Sequence, residues 1–132
     1  MKRIKKSLAD LEISELLARI YRTVSEKKAE KPVILDVRGI SDFADYFVIM
    51  SGTSTRHVQG LAEAVDDEIG SRRTREGDTE GLSEARWVLL DYNDIIIHVF
   101  HYEDRDHYDL EGLWHDAPRL DPKKLLNPGK TV

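Results

Sequence analysis

The stretch that decides the fold is ARWVLLDYNDIIIHVFH, residues 85–101. Two apolar runs, residues 87–90 and 95–100, flank a polar insert at residues 91–94. β-Branched and aromatic side chains favour extended backbone, and Asn93 tolerates the left-handed backbone that a tight turn demands. The pattern therefore predicts a β-hairpin at the centre of the fold.

Both faces of the first hairpin strand are largely apolar. Because side chains alternate along a strand, Trp87, Leu89 and Asp91 share one face. Val88 and Leu90 share the other face. A sheet buried on one side only would show polar residues at alternate positions. We therefore expect either helices over both faces or one face left open for a partner.

Length and composition narrow the class of protein. The 132 residues suffice for one domain with its own core, and the absence of cysteine excludes a disulfide framework and a thiol nucleophile. No apolar run reaches the roughly 20 residues of a membrane span, and the N-terminal MKRIKK lacks the apolar core of a signal peptide. We expect a cytoplasmic protein with neither membrane nor DNA as a partner. The formal net charge of -5 favours a basic protein partner.

Helices and strands are predicted on both sides of the hairpin. They are a helix at residues 7–26, strands at 33–37 and 46–50, a helix from Ser54 or Thr55, and a short amphipathic helix with Tyr108, Leu110, Leu113 and Trp114. Residues 71–81 indicate a loop or an irregular edge strand, and residues 103–106 a charged turn. This order predicts an α/β fold with a mixed sheet flanked by helices.

Two proline-containing stretches mark boundaries. Pro32 breaks the chain before the first strand. Residues 1–117 form the predicted single domain, and residues 118–132 form a tail with prolines and lysines but no core pattern. We expect this tail to be poorly ordered, or ordered only by a neighbour.

Ser51 and Gly52 connect a buried strand to a helix, as a phosphate-binding turn does. The stretch lacks both the Gly-x-Gly-x-x-Gly repeat and the P-loop lysine. It also resembles the Gly-Ser of nucleotidyltransferases, but that reaction needs two or three converging carboxylates to hold metal ions. Asp66 and Asp67 are adjacent on a helix and point about 100° apart. A structural turn is favoured, and a nucleotide-binding or nucleotidyltransferase-type enzyme is the alternative.

Other polar residues favour structural roles. Asp91 and Asp94 flank the turn, where aspartate commonly caps its own backbone, so this role outweighs a general acid and base pair. His98 and His101 face opposite ways on a strand and do not form a metal-binding pair. The concentrated basic patch consists of Arg72, Arg73 and Arg75. It is either a solvated helix end or a minor contact for RNA phosphate.

Aromatic residues give the strongest indication of a surface. Trp87, Tyr92, Tyr108 and Trp114 could each belong to the core. However, Tyr92 lies at the turn and Trp87 begins a strand, and both positions tend towards the surface. Exposed tryptophan and tyrosine near charged residues are typical of interface hot spots.

Several ordered motifs now identify a family. They are residues 45–49, 51–54 with 56–58, 87–91 with Asp94, 98–100, and then Arg105, Tyr108, Leu110, Glu111, Leu113 and Trp114. Across about residues 8–117 the chain resembles the ribosomal silencing factor family, also called the Iojap-like family.

The resemblance implies a translation repressor without enzymatic activity or cofactor. Such factors bind a basic protein of the large ribosomal subunit, the fourteenth in the standard order, at the face that meets the small subunit. They block subunit joining when nutrients are scarce, and they often form homodimers in isolation. The implied fold is similar to the nucleotidyltransferase scaffold without its catalytic carboxylates. The implied contact residues are Trp87, Asp91, Tyr92, Tyr108 and Leu110.

Three positions depart from the family pattern. Asn93 replaces the usual glycine of the turn, and the hairpin is expected to tolerate it. His107 stands where a bulky apolar or aromatic residue is common. Gly112 stands where a basic or other long side chain is usual, so the contacts of the last helix are expected to differ.

Overall fold

The computed structural model describes residues 13–42, 44–69, 79–92 and 94–126. The helices in these ranges are α1 (Ile13–Glu26), α2 (Thr55–Ile69), α3 (Tyr102–Tyr108), α4 (Leu110–Leu113) and α5 (Pro122–Leu126). The strands are β1 (Glu30–Asp36), β2 (Tyr46–Gly52), β3 (Thr79–Glu80), β4 (Trp87–Asp91) and β5 (Ile95–His101). None of these helices is both long and apolar enough to span a membrane.

Within the described ranges the strands form one mixed sheet in the order β1-β2-β5-β4-β3. β2 and β5 run parallel at its centre, and the other neighbouring strands are antiparallel. A parallel pair needs a crossover connection, and α2 lies within it. The predicted mixed sheet with flanking helices is therefore confirmed. Similarity to the nucleotidyltransferase scaffold stays a prediction.

The central hairpin is confirmed as β4 and β5. Trp87 pairs with Phe100, and Asp91 pairs with Ile96. The turn closes where the Tyr92 N–H donates to a β5 carbonyl at 2.9 Å. Asn93 lies outside the described residues, so its tolerance in the turn stays a prediction. β5 is buried along its whole length because it has a strand on each side and apolar packing on both faces.

Helices α1 and α2 cover one face of the sheet. Val88 and Leu90 of β4 point to this side and are fully buried. Val58, Leu61 and Val65 recur on α2 at helical spacing and join the same cluster. The apolar periodicity of α2 thus marks the surface that it buries.

The opposite face of the sheet is only partly covered. Its smaller cluster includes Phe47, Phe100 and Leu110, the last from α4. Trp87 and Leu89 pack against this cluster but remain half-buried. Of the two arrangements that the hairpin pattern left open, the structure shows helices over one face and a second face that is partly open.

Boundaries elsewhere agree with local signals. α1 accounts for the predicted helix from Ile13 onward, since residues 7–12 lie outside the described ranges. α2 begins at Thr55 as predicted, because the Ser54 hydroxyl accepts the His57 N–H at 3.0 Å and caps the helix. The end of the stretch 71–81 forms the edge strand β3, which pairs with β4.

The extent of β1 differs from the prediction of a strand at residues 33–37 after a break. β1 begins at Glu30, and Pro32 lies inside it. Proline has no N–H to donate, but β1 is at the sheet edge, and its pairing with β2 is irregular between Glu30 and Val33. An irregular edge strand does not require that donor.

The predicted charged turn at residues 103–106 is wrong, because these residues belong to α3. His101 caps this helix by accepting the Glu103 N–H through Nδ1 at 3.2 Å. Glu103 and Asp104 in the first turn suit the positive end of the helix dipole. Asp109, with a φ of 45°, then separates α3 from α4.

The prediction that the tail is poorly ordered, or ordered only by a neighbour, is wrong for residues 118–126. The Asp36 N–H donates to the Pro118 carbonyl at 2.8 Å, and the Leu120 N–H donates to the Ile34 carbonyl at 2.9 Å. α5 then packs against α1. These contacts occupy backbone groups along the outer edge of β1, which would otherwise be unpaired.

Candidate docking face

An aromatic cluster lies on the partly covered face of the sheet. The ring centroid of Trp87 lies 4.9 Å from that of Phe100 and 4.7 Å from that of Tyr108. Phe100 is the cross-strand partner of Trp87, and Tyr108 comes from the end of α3. These separations are typical of attractive aromatic pairs. The hairpin and α3 are thus joined by ring packing.

The cluster continues across the sheet from Trp87. The rings of His98 and Phe47 meet edge to face at 5.2 Å, and those of Phe47 and Trp114 do so at 5.2 Å. Three strands and the segment after α4 contribute these side chains. We use the name aromatic face for Phe47, Trp87, His98, Phe100, Tyr108 and Trp114.

The polar atom of Trp87 points into the protein. Its indole Nε1–H donates to His98 Nδ1 at 3.1 Å. His98 is 5% exposed, and burial lowers its pKa to about 4, so its imidazole is neutral at neutral pH. The outer side of this cluster consequently presents ring surface.

Exposure divides the predicted contact residues into a surface and its support. Tyr108 is 46% exposed. Trp87 and Asp91 are half-buried on the same face of β4. Leu110 is 9% exposed and packs in the cluster beneath them. The structure therefore brings Trp87, Asp91 and Tyr108 to one partly exposed face, with Leu110 as support.

Tyr92 is not at this surface, contrary to the expectation from its place in the turn. Its side chain is 1% exposed, and its hydroxyl donates to Asp66 Oδ1 of α2 at 2.9 Å. Tyr92 follows Val88 and Leu90 at two-residue spacing, so strand alternation directs it towards the helices. Extending the side-chain alternation of β4 by one residue predicts that the Tyr92 ring points towards the helices.

An ion pair between buried Arg105 and partly buried Glu111 fixes the helices beside the aromatic face. The Arg105 guanidinium donates from Nε and Nη2 to the two carboxylate oxygens of Glu111 at 3.0 and 3.1 Å. Its Nη1 donates to the Ser51 hydroxyl at 3.1 Å and to the Glu30 carbonyl at 3.2 Å. Hydrogen bonds from Arg105 hold the pKa of Glu111 below its usual range. Arg105 thus ties α3 to α4, β1 and β2.

The Ser51-Gly52 turn is part of this support. Ser51 is buried, and a Cβ on Gly52 would lie 2.9 Å from the backbone nitrogen of Val58. Glycine therefore lets the end of β2 approach α2 closely. Asp66 accepts the Tyr92 hydroxyl. Across the described ranges, no three His, Asp or Glu side chains are grouped as metal ligands.

The family departures at positions 107 and 112 border the aromatic face. The His107 ring lies edge-on to Tyr108 with centroids 5.0 Å apart. The Gly112 N–H donates to Asp109 Oδ1 at 3.2 Å, and a Cβ at Gly112 would collide with that carboxylate. Gly112 therefore gives Asp109 the room to cap α4.

The structure is a small α/β protein in which partly exposed aromatic rings lie over a packed support, a combination typical of protein-binding surfaces. A family model described as "Ribosomal silencing factor during starvation" matches residues 10–131. The chain belongs to the ribosomal silencing factor family, which confirms the resemblance, and the match extends into the tail beyond residue 117.

Two individual relatives and one solved structure support this family assignment. Ribosomal silencing factor RsfS of Bacillus subtilis is 45% identical over 96 residues, covering 73% of this chain and 81% of that protein. Ribosomal silencing factor RsfS of Halalkalibacterium halodurans is 41% identical over 113 residues, covering 86% and 97%. A crystal structure of a Chromobacterium violaceum protein superimposes with a TM-score of 0.73 at 28% identity, covering 80% of this chain and 88% of that one.

Proposed function

We propose that this protein silences ribosomes by binding the large subunit through the aromatic face and blocking the small subunit from joining. The observation that carries the proposal is the exposed ring of Tyr108, which packs against the half-buried ring of Trp87 on a well-packed domain. Partly exposed aromatic residues over a rigid support are typical of protein-binding hot spots. Relatives named as ribosomal silencing factors indicate the ribosome as the target.

The partner that fits this face is a basic protein of the large subunit, the fourteenth in the standard order. Asp91 shares the face of Trp87, and the exposed Asp106 and Asp109 stand on either side of Tyr108 in the sequence. Acidic groups around an apolar centre favour a basic protein and disfavour RNA phosphate. We therefore assign rRNA only a minor contact, at Arg72, Arg73 and Arg75, which lie outside the described residues.

The proposed mechanism is steric and includes no cofactor and no catalysed reaction. A protein bound at the intersubunit face of the large subunit occupies volume that the small subunit needs, so position and affinity determine the effect. Tyr92 and Leu110 support the surface from within, because little of either side chain is exposed. We propose that the free protein is a cytoplasmic homodimer and that it acts when nutrients are limiting.

The purified protein is expected to cosediment with isolated large subunits and not with isolated small subunits. Adding small subunits to the loaded large subunits should then yield fewer full ribosomes than a mock-treated sample, measured by sucrose-gradient profiles. The order of addition provides the control, since steric exclusion predicts a stronger effect when the protein is added first. Binding to neither subunit would contradict the proposal, as would binding to the large subunit with undiminished joining.

Tyr108→Ala is expected to weaken binding to the large subunit by about 2 kcal/mol, or roughly 30-fold, because it removes an exposed anchor ring. Tyr102→Ala is the matched control. It lies on the same helix and is 50% exposed, but six helical positions away it points about 120° from Tyr108. Equal affinities for the two variants in a cosedimentation titration would remove Tyr108 from the docking face.

A further inference from the structure

The indole of Trp87 is held by a hydrogen bond from within the hairpin. Leu89 is the direct cross-strand partner of His98, and Trp87 lies one pair further along the same face. Side chains in this diagonal relation are within reach of each other when they are aromatic. The Nε1–H of Trp87 meets His98 Nδ1 at 3.1 Å, while Phe100 and Tyr108 pack on the ring.

This hydrogen bond also fixes the protonation of His98. An indole nitrogen can only donate, so Nδ1 carries a lone pair and the imidazole proton resides on Nε2. Nε2 is buried and has no hydrogen-bonding partner within the described residues. A buried N–H without an acceptor lowers the stability of the fold, and the cluster around His98 is otherwise apolar. A hydrocarbon ring at this position would pack without that penalty, so core packing alone does not account for a histidine.

We propose that His98 is a positioning residue for docking, which holds the Trp87 indole in the orientation that the large-subunit partner recognises. This inference rests on the proposed function. With its N–H satisfied internally, Trp87 offers the partner a ring surface and no free donor. The site therefore favours apolar or cationic side chains on the partner over hydrogen-bond acceptors.

A double-mutant cycle in the full chain tests this role, with purified large subunits as the binding probe. His98→Phe keeps a ring that can pack against Phe47 and Phe100 but cannot accept a hydrogen bond. His98→Asn places an oxygen near the position of Nδ1 and is the conservative rescue. Each His98 variant is also combined with Trp87→Phe, because a phenylalanine side chain has no N–H to donate. Melting midpoints confirm folding, and His98→Leu replaces His98→Phe in the cycle should the latter not fold.

His98→Phe is expected to lower affinity about tenfold when Trp87 is present and less than about twofold in the Trp87→Phe background. In each background, His98→Asn should stay within about threefold of the protein that keeps His98. The indole N–H resonance of Trp87 in the free protein, observed in a Trp114→Phe background, should shift towards its solvent value in His98→Phe and not in His98→Asn.

Two affinity results would overturn the inference and leave the proposed function standing. One is wild-type affinity in His98→Phe, and the other is an equal loss in both backgrounds, which a purely structural role produces. An indole resonance that does not respond to His98→Phe would also overturn it. Absence of binding by the wild-type protein would overturn the proposed function and this inference with it.

Discussion

Glu111→Ala is expected to lower the free energy of unfolding by about 3 kcal/mol, since it leaves the charge of buried Arg105 without the carboxylate of partly buried Glu111. The Arg105 side chain is only 7% exposed, so its guanidinium depends on protein groups for hydrogen bonds. Without Glu111, the guanidinium retains the Ser51 hydroxyl and the Glu30 carbonyl but loses both of its anionic acceptors. Urea denaturation at neutral pH measures the loss.

Glu103→Ala is the matched control for this variant. Glu103 lies on α3, and its carboxylate is 3.4 Å from Arg86, but its side chain is 56% exposed. Exposed ion pairs contribute about 1 kcal/mol or less, so this variant should remain close to the wild type. The combined variant Arg105→Met with Glu111→Leu should recover most of the stability, because it leaves no buried charge. A loss below about 1 kcal/mol for Glu111→Ala would contradict the buried-pair argument.

The hydrogen bonds of Arg105 are contacts that a sequence does not reveal. Its hydrogen-bond partners Glu111, Ser51 and Glu30 lie 6, 54 and 75 positions away. No periodicity or turn signal relates residues at such separations. The sequence indicates Arg105 only as part of a family motif. By contrast, the hairpin and α2 follow from side-chain alternation and helical spacing within single segments.

The aromatic face was predictable only in part. The position of Trp87 at the start of a strand predicts a surface residue, and the family resemblance predicts the same for Tyr108. Their contact depends on how α3 packs beside the hairpin. The pairing of Phe47 with Trp114 likewise requires the assembled sheet. The turn position and the family resemblance both predict Tyr92 at the surface, whereas alternation along β4 places it on the buried side.

The tail illustrates a different limit. Its contacts with β1 are made by backbone groups of Pro118 and Leu120, and backbone pairing at a sheet edge leaves little trace in side-chain pattern. The predicted chain break at Pro32 is wrong for a related reason. Proline interrupts a strand only where its missing N–H donor is needed for pairing. Both cases depend on β1 being an edge strand, which the topology decides.

The contribution of neutral His98 to stability is expected to disappear as the pH falls from about 6.5 to about 4. Burial lowers the pKa of His98 from 6.5 to about 4, so in this interval the unfolded chain binds a proton that the folded protein does not. The free energy of unfolding therefore rises with pH across the interval. The contribution is complete above about pH 6.5 and lost below about pH 4, and it amounts to about 3 kcal/mol.

The comparison that isolates this effect is between the wild type and His98→Phe, each unfolded in urea at about pH 7 and about pH 4. Carboxyl groups such as Glu111 also titrate on acidification, but they do so in both proteins and cancel in the difference. The wild type should lose about 3 kcal/mol more than the variant, and His98→Asn should behave as His98→Phe does because neither side chain titrates. Parallel losses in all three proteins would mean that the pKa of His98 in the folded protein stays near 6.5, as for a solvated imidazole. The burial that isolates the hydrogen bond between His98 and the Trp87 indole would then be absent, and water would compete for the imidazole.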